Sequence, residues 1–235
     1  MRNLIVIIFI TLLVGCAATQ PSFSVSVDSL ASPIAATKKT YLLIPGNKGV
    51  SHNDLQFQEY ENYLKRVLNG RGYIAASSEE DADLAIVLSY GIGDPQKQQY
   101  SYSLPTWGKT GVSSANTYGT ATTYGNTTSV NTTTTYTPTY GVTGSTNHTG
   151  TRTTFFRYVL ITGYDYTEFK QSEKEVQIWT TTVSSTGSSG DLRRVFPVLM
   201  AASEPYIATN TGQKIPVSLS ESDNTVKIIK GQAVE

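Results

Sequence analysis

The chain has 235 residues, with 18 lysine and arginine side chains against 18 aspartate and glutamate. That balance excludes the basic face nucleic acid requires and the polybasic patch that anionic lipid attracts. A single cysteine excludes an intramolecular disulfide, so stability must come from an ordinary apolar core, which this length can bury.

Met1-Arg2-Asn3 opens the chain with one positive charge. An apolar run follows from Leu4 to Ile10, resumes at Leu12-Leu13-Val14 and ends at Gly15-Cys16. A charged start, a short apolar stretch and a small residue before a cut describe a secretory signal peptide. The run is too short for a permanent transmembrane helix, which needs about 20 residues. Leu13, Val14 and Gly15 before Cys16 resemble the bacterial lipobox, in which the signal is cut before the cysteine and its thiol is acylated. Only a thiol forms the thioether, and the peptidase needs a small residue at the cut. The plainer alternative is an ordinary signal peptide with a chance cysteine at its end. Each buried methylene contributes about 0.8 kcal/mol, so two or more acyl chains on Cys16 hold a protein to a membrane. Cleavage leaves 220 of the 235 residues, with 17 cations against 18 anions. Ala17 follows the cysteine. In enterobacterial-type lipoproteins an aspartate there favours inner-membrane retention, so the expected place is the outer membrane of a Gram-negative envelope.

Residues 16–37 form the lipidated end, a tether and a first strand, since Phe23 to Val27 alternates apolar and polar. A single α/β domain is expected from 38 to 235. Tyr41 to Ile44 is an apolar run stopped by Pro45-Gly46, as a buried strand would be. Ser51 starts a helix with Asp54 three residues on, close to a capping box. Phe57, Tyr60, Leu64, Val67 and Leu68 share one helical face, and Glu61 and Lys65 make an i,i+4 pair on the wetter side. Asn69-Gly70 and Gly72 end that helix. A brief strand at Tyr73 to Ala75 and a stronger one at Leu84 to Tyr90 lead to the Asp94-Pro95 turn.

Residues 105–154 differ in kind: twenty of these fifty are threonine, and only Lys109 and Arg152 are charged. Thr-Tyr-Gly occurs at 117–119, 123–125 and 139–141, and the tyrosines keep one parity within each stretch. Threonine and tyrosine suit strands. The segment reads as a long, irregular β-hairpin or extended loop inserted in the domain. Disorder is the competing reading, because so little apolar surface hardly offsets the ordering entropy. Beyond it, Phe155 to Ile161 and Val176 to Val183 read as strands around a turn at Tyr164 to Ser172. A helix from about Asp191 to Ser203 follows. It buries Leu192, Val195, Phe196, Leu199 and Ala202 and is kinked by Pro197 unless it starts nearer that residue. Ile215 to Leu219 alternates as a strand, with Val226 to Ile229 as its hairpin partner. This order implies an α+β fold: a mixed sheet with two main helices on one face and a long Thr-rich insertion.

Several segments together resemble the bacterial lipoprotein family defined by the domain of unknown function DUF4136. They are Tyr41 to Gly46, Gln58-Glu59-Tyr60-Glu61-Asn62-Tyr63-Leu64, Asp81-Ala82-Asp83-Leu84, Pro138-Thr139-Tyr140-Gly141, Trp179-Thr180-Thr181 and Pro205-Tyr206-Ile207. The resemblance covers residues 38 to 212. It implies a small α/β lipoprotein domain and brings no settled activity or catalytic residue.

No reactive constellation is visible, so no catalytic residue, metal or cofactor is expected. His52 and His148 lack the partners a metal needs. Ser188-Ser189-Gly190-Asp191 at a helix start could hold an anion with help from Arg193 or Arg194. The structural alternative is that Ser188 or Ser189 caps the helix while Asp191 complements its dipole. Glu79, Glu80, Asp81 and Asp83 lack the glycine of a calcium loop and read as a solvated turn. Trp179 belongs to the core. Tyr100, Tyr102 and Trp107, flanking the insertion, are a candidate binding surface or else a cluster packing the hairpin base. The functional expectation is a lipid-anchored, non-catalytic binding or scaffold module with an envelope protein as partner and no nucleic acid. Self-association through the Thr-rich hairpin is the alternative, and an envelope enzyme the third reading.

Overall fold

The computed structural model describes residues 22–233. Two compact units divide them: one holds residues up to 96 and from 154 onward, the other residues 97–153. Leu13, Val14, Gly15 and Cys16 lie outside the described residues.

In the larger unit β1 (Ser22–Ala31), β2 (Thr40–Pro45), α1 (Leu55–Gly70), β3 (Ile74–Ala75) and β4 (Leu84–Ile92) come first. After the second unit come the end of β6 (Thr127–Asp165), α2 (Tyr166–Ser172), β7 (Gln177–Gly187), α3 (Leu192–Ser203), β8 (Ile215–Ser220) and α4 (Asn224–Lys230). The sheet runs β3-β2-β4-β6-β7-β1-β8. β2 is parallel to β3 and β4, with α1 as the crossover, and the remaining neighbours are antiparallel. The fold is therefore α+β with a mixed sheet, as the element order implies.

One face of the sheet carries the core. Leu84, Ile86 and Leu88 of β4 stand opposite Asp165, Gly163 and Ile161 of β6, which face Trp179 and Thr181 of β7 in turn. Val25 and Val27 extend that face into β1. The expected stripes of both main helices pack there: Phe57, Tyr60, Leu64, Val67 and Leu68 from α1, and Leu192, Val195, Phe196, Leu199 and Ala202 from α3, all buried. Burial on α3 extends further, to Val198, Met200 and Ala201, so it is covered on more than one stripe. Pro197 lies inside α3, with three turns of helix retained.

Several local expectations are corrected. α1 is capped by Asp54, whose carboxylate accepts from Phe57 N at 2.9 Å, so the helix starts after Asp54 rather than at Ser51. α3 is capped by Asp191, which accepts from Arg194 N at 3.2 Å, while Ser189 Oγ accepts from Asp191 N one step outside. Carboxylate and hydroxyl caps are nearly equivalent energetically, so the sequence alone does not rank them. The expected turn from Tyr164 contains the two-turn helix α2, capped by Asp165. Val226 to Ile229 is not a strand but part of α4, which buries Val226 and Ile229 against the core. β8 pairs with β1 instead.

In the smaller unit β5 (Gln96–Tyr124) pairs with β6 alone. Gly125-Asn126 joins them, and Gly125 has φ +63°. A left-handed first position in a two-residue loop is what the strand twist demands, and glycine adopts it without a Cβ penalty. Threonine hydroxyls meet across the ribbon, Thr117 with Thr134 at 2.9 Å and Thr123 with Thr128 at 3.1 Å. The insertion is thus a hairpin, with its strands paired from 97 to 153.

Candidate functional site

Tyr100 and Tyr102 lie on β5 with ring centroids 6.0 Å apart, and the His148 imidazole of β6 stacks on Tyr102 at 5.5 Å. All three residues belong to the smaller unit, and both tyrosines stay about half exposed, at 53% and 44%. Trp107 is 72% exposed and pairs with no ring among the described residues. The structure therefore brings Tyr100 and Tyr102 together and leaves Trp107 apart from them. His148 completes the cluster. The sequence offered no sign of it, because the partner of Tyr102 is fixed by hairpin register.

Strand register explains the proximity. Tyr100 and Tyr102, two residues apart on one strand, share a face, and the His148 ring of β6 reaches Tyr102 from the neighbouring strand. Beside this cluster a depression is lined by Gln98, Gln99, Tyr100, Thr151 and Arg152. Its chemistry is amide, phenol and one guanidinium, suited to hydrogen-bonding a polar partner and without a nucleophile–base pair.

A second concavity lies on the sheet face away from the core. Ile44, Ala85, Val87 and Tyr164 of the strands, Tyr166 and Phe169 of α2, and Glu175 line it, around about 290 Å³. The apolar runs at Tyr41 to Ile44 and Leu84 to Leu88 carried the signal for it, since strands apolar at both parities are covered on both faces.

The other sequence candidates have structural roles. Lys170 Nζ donates to the carbonyls of Glu80 and Ala82 at 2.8 and 3.1 Å, holding the acidic turn to α2. Ser78 Oγ donates to Asp81 at 2.9 Å within that turn. Arg193 pairs with Glu59 at 2.7 Å and Arg194 with Glu221 at 2.6 Å, so carboxylates of the chain already engage both arginines offered for an anion. His52 packs edge-on against Phe57. No group of three or more His, Cys, Asp or Glu suited to a metal occurs among the described residues. Trp179 is core, 1% exposed.

Two buried charged groups among the described residues, Arg157 and Asp165, were not foreseen. Arg157 is 1% exposed; it donates to Ser189 O and Ser185 Oγ, both at 3.1 Å, and among the described residues it has no carboxylate partner and its Nε no acceptor. Burial lowers the guanidinium pKa. Asp165 accepts from Lys38 Nζ at 2.6 Å and from Glu168 N at 2.9 Å. Burial alone would raise its pKa, but those donors and the Thr167 amide outweigh it and hold the carboxyl below its usual range.

These features define an α+β domain with a threonine-rich β-ribbon as its second compact unit. No family model matches the chain, and no curated protein matches it. Among solved structures it is similar to a PDZ domain protein from Parabacteroides distasonis, at 10% identity and a TM-score of 0.37. The match covers 86% of this chain and 40% of that one, so the chain spans well under half of that protein's length.

Proposed function

We propose that the protein is a lipid-anchored lipoprotein of the cell envelope, held by acyl chains on Cys16, and a non-catalytic binding or scaffold module. The observation that carries this reading is Leu13-Val14-Gly15-Cys16 closing a short apolar run that follows a single positive charge. No described helix is long and apolar enough to cross a membrane; the attachment proposed here is the thioether lipid on Cys16. The resemblance to the DUF4136 lipoproteins belongs to the same reading.

The binding surface we assign is the hairpin with its Tyr100–Tyr102–His148 cluster, since exposed aromatic rings with polar edges supply contact area at small entropic cost. Mass spectrometry of the protein from its native membrane tests the anchor. A diacylated or triacylated Cys16 at the mature amino terminus is expected, and a free thiol or a retained leader would overturn it. Deletion of 105–154, followed by crosslinking in intact cells, tests the surface: partner recovery is expected to disappear while the body stays folded.

A further inference from the structure

We infer that the partner of the hairpin is a second copy of this chain, docked antiparallel along the outer edge of β5 between Thr110 and Tyr124. This rests on the proposed role of the hairpin as the binding surface and names its occupant.

Among the described residues the strand pairing within 97–153 is β5 with β6 alone, so each strand presents an edge that no described strand covers. The two-residue turn fixes which backbone groups those are. Tyr124 and Thr127 close the loop as a mutually hydrogen-bonded pair, and bonded and non-bonded pairs then alternate along the ribbon. Thr123–Thr128 and Thr117–Thr134 are non-bonded pairs, in keeping with the close approach of their hydroxyls at 3.1 and 2.9 Å. Residues 113, 115, 117, 119, 121 and 123 therefore turn their N–H and C=O groups away from β6. That is an open hydrogen-bonding template.

Proteins blunt such edges with short strands, charges or prolines. The larger unit follows the rule: its edge strands are β3, with two residues, and β8, with six residues and Pro216. The β6 edge of the ribbon is interrupted by Pro138, at a position whose nitrogen faces outward in the same alternation. The β5 edge has no such device. No proline occurs from Thr106 to Tyr124, and no lysine, arginine, aspartate or glutamate from Thr110 to Thr151.

Self-pairing fits this edge best. A two-fold axis lays the strand antiparallel on itself, matching its length of about 50 Å at 3.4 Å per residue. Because 110–124 is uncharged, the dyad opposes no like charges, and Lys109 falls at the end of the pairing. Threonine, tyrosine and valine side chains then meet as cross-strand pairs. An isolated two-stranded ribbon is only marginally stable, whereas the resulting four-stranded sheet is not so limited.

Sedimentation equilibrium of the full chain in density-matched detergent tests the inference. Wild type is expected to dimerise reversibly, and Ala115→Pro with Ala121→Pro, which removes two outward N–H groups and no bond within the ribbon, to raise the dimer Kd at least tenfold. Amide hydrogen exchange supplies a readout independent of the variant. The outward amides of 113–123 should gain protection as wild-type concentration rises, while the inward amides stay protected throughout. A wild-type chain that is monomeric at high concentration, or outward amides whose exchange ignores concentration, would overturn it. The same outcome with an acylated Cys16 and a different protein crosslinked to the hairpin would leave the anchored-scaffold reading standing.

Discussion

The rings of Tyr60 and Phe196 lie parallel, 3.8 Å between centroids and 4° between planes, and so join α1 to α3. Tyr90 of β4 meets both edge-on, at 4.8 and 5.9 Å, which ties the helix pair to the sheet. All three residues are buried, so the cluster is packed on every side. Phe196→Ala is expected to cost about 3–5 kcal/mol in urea unfolding. A double-mutant cycle with Tyr60→Ala should return a coupling of about 0.5–1.5 kcal/mol beyond lost area. Strict additivity would show that the stack carries no energy of its own.

Asp165 sets a pH dependence. It caps α2 and receives Lys38, and its folded pKa lies below the unfolded value of about 3.9. The stability it contributes is thus complete above that value and is lost as pH falls through the lower, folded one. Asp165→Asn is expected to cost about 1.5–3 kcal/mol at neutral pH. The gap to wild type should shrink as acid protonates the native carboxyl. Chemical unfolding followed from pH 6 down to pH 2 checks this, and a gap that widens in acid would contradict the assignment.

Much of this architecture is legible in the sequence because periodicity reports burial directly. Phe57, Tyr60, Leu64, Val67 and Leu68 had to share a helical face, and the structure buries all five. The Glu61–Lys65 pair likewise forms at 2.6 Å, since its spacing is local. Cap positions were less legible: Ser51 and Asp54 compete for one helix start, Ser188, Ser189 and Asp191 for the other, and tertiary packing chooses. Val226 to Ile229 is too short for period to separate strand from helix, and only its contact with the core decides. The His148–Tyr102 stack and the burial of Arg157 depend on strand register, which no local pattern states.

Arg157 makes a prediction of opposite signs. Its guanidinium is buried and, among the described residues, has no counter-ion, and Nε has no acceptor. Removing the whole side chain in Arg157→Ala opens a cavity and is expected to cost about 2–4 kcal/mol. Arg157→Met fills most of that space and removes the desolvated charge, so it should be neutral or stabilising by about 1–2 kcal/mol. Thermal and urea melts of the two variants decide the matter. Equal losses in both would mean that the hydrogen bonds to Ser189 and Ser185 outweigh the cost of burying the charge.

Gly163 and Trp179 face each other across β6 and β7, and the strand register shifts just beyond them. A Cβ at 163 would fall within contact of the indole Nε1 and Cε2 atoms, so the absent side chain is the slot that admits the tryptophan. Trp179 is held tightly there, 1% exposed and against Tyr73, and it has little room to withdraw. Gly163→Ala should therefore destabilise by about 1–3 kcal/mol through overpacking, although alanine ordinarily suits a strand interior better than glycine. Combining it with Trp179→Leu, which vacates the slot, should cost less than the two single changes added together. Additive losses, or a Gly163→Ala protein as stable as wild type, would show that the sheet can bend to accept the methyl group and that the close approach is not what requires glycine at this position.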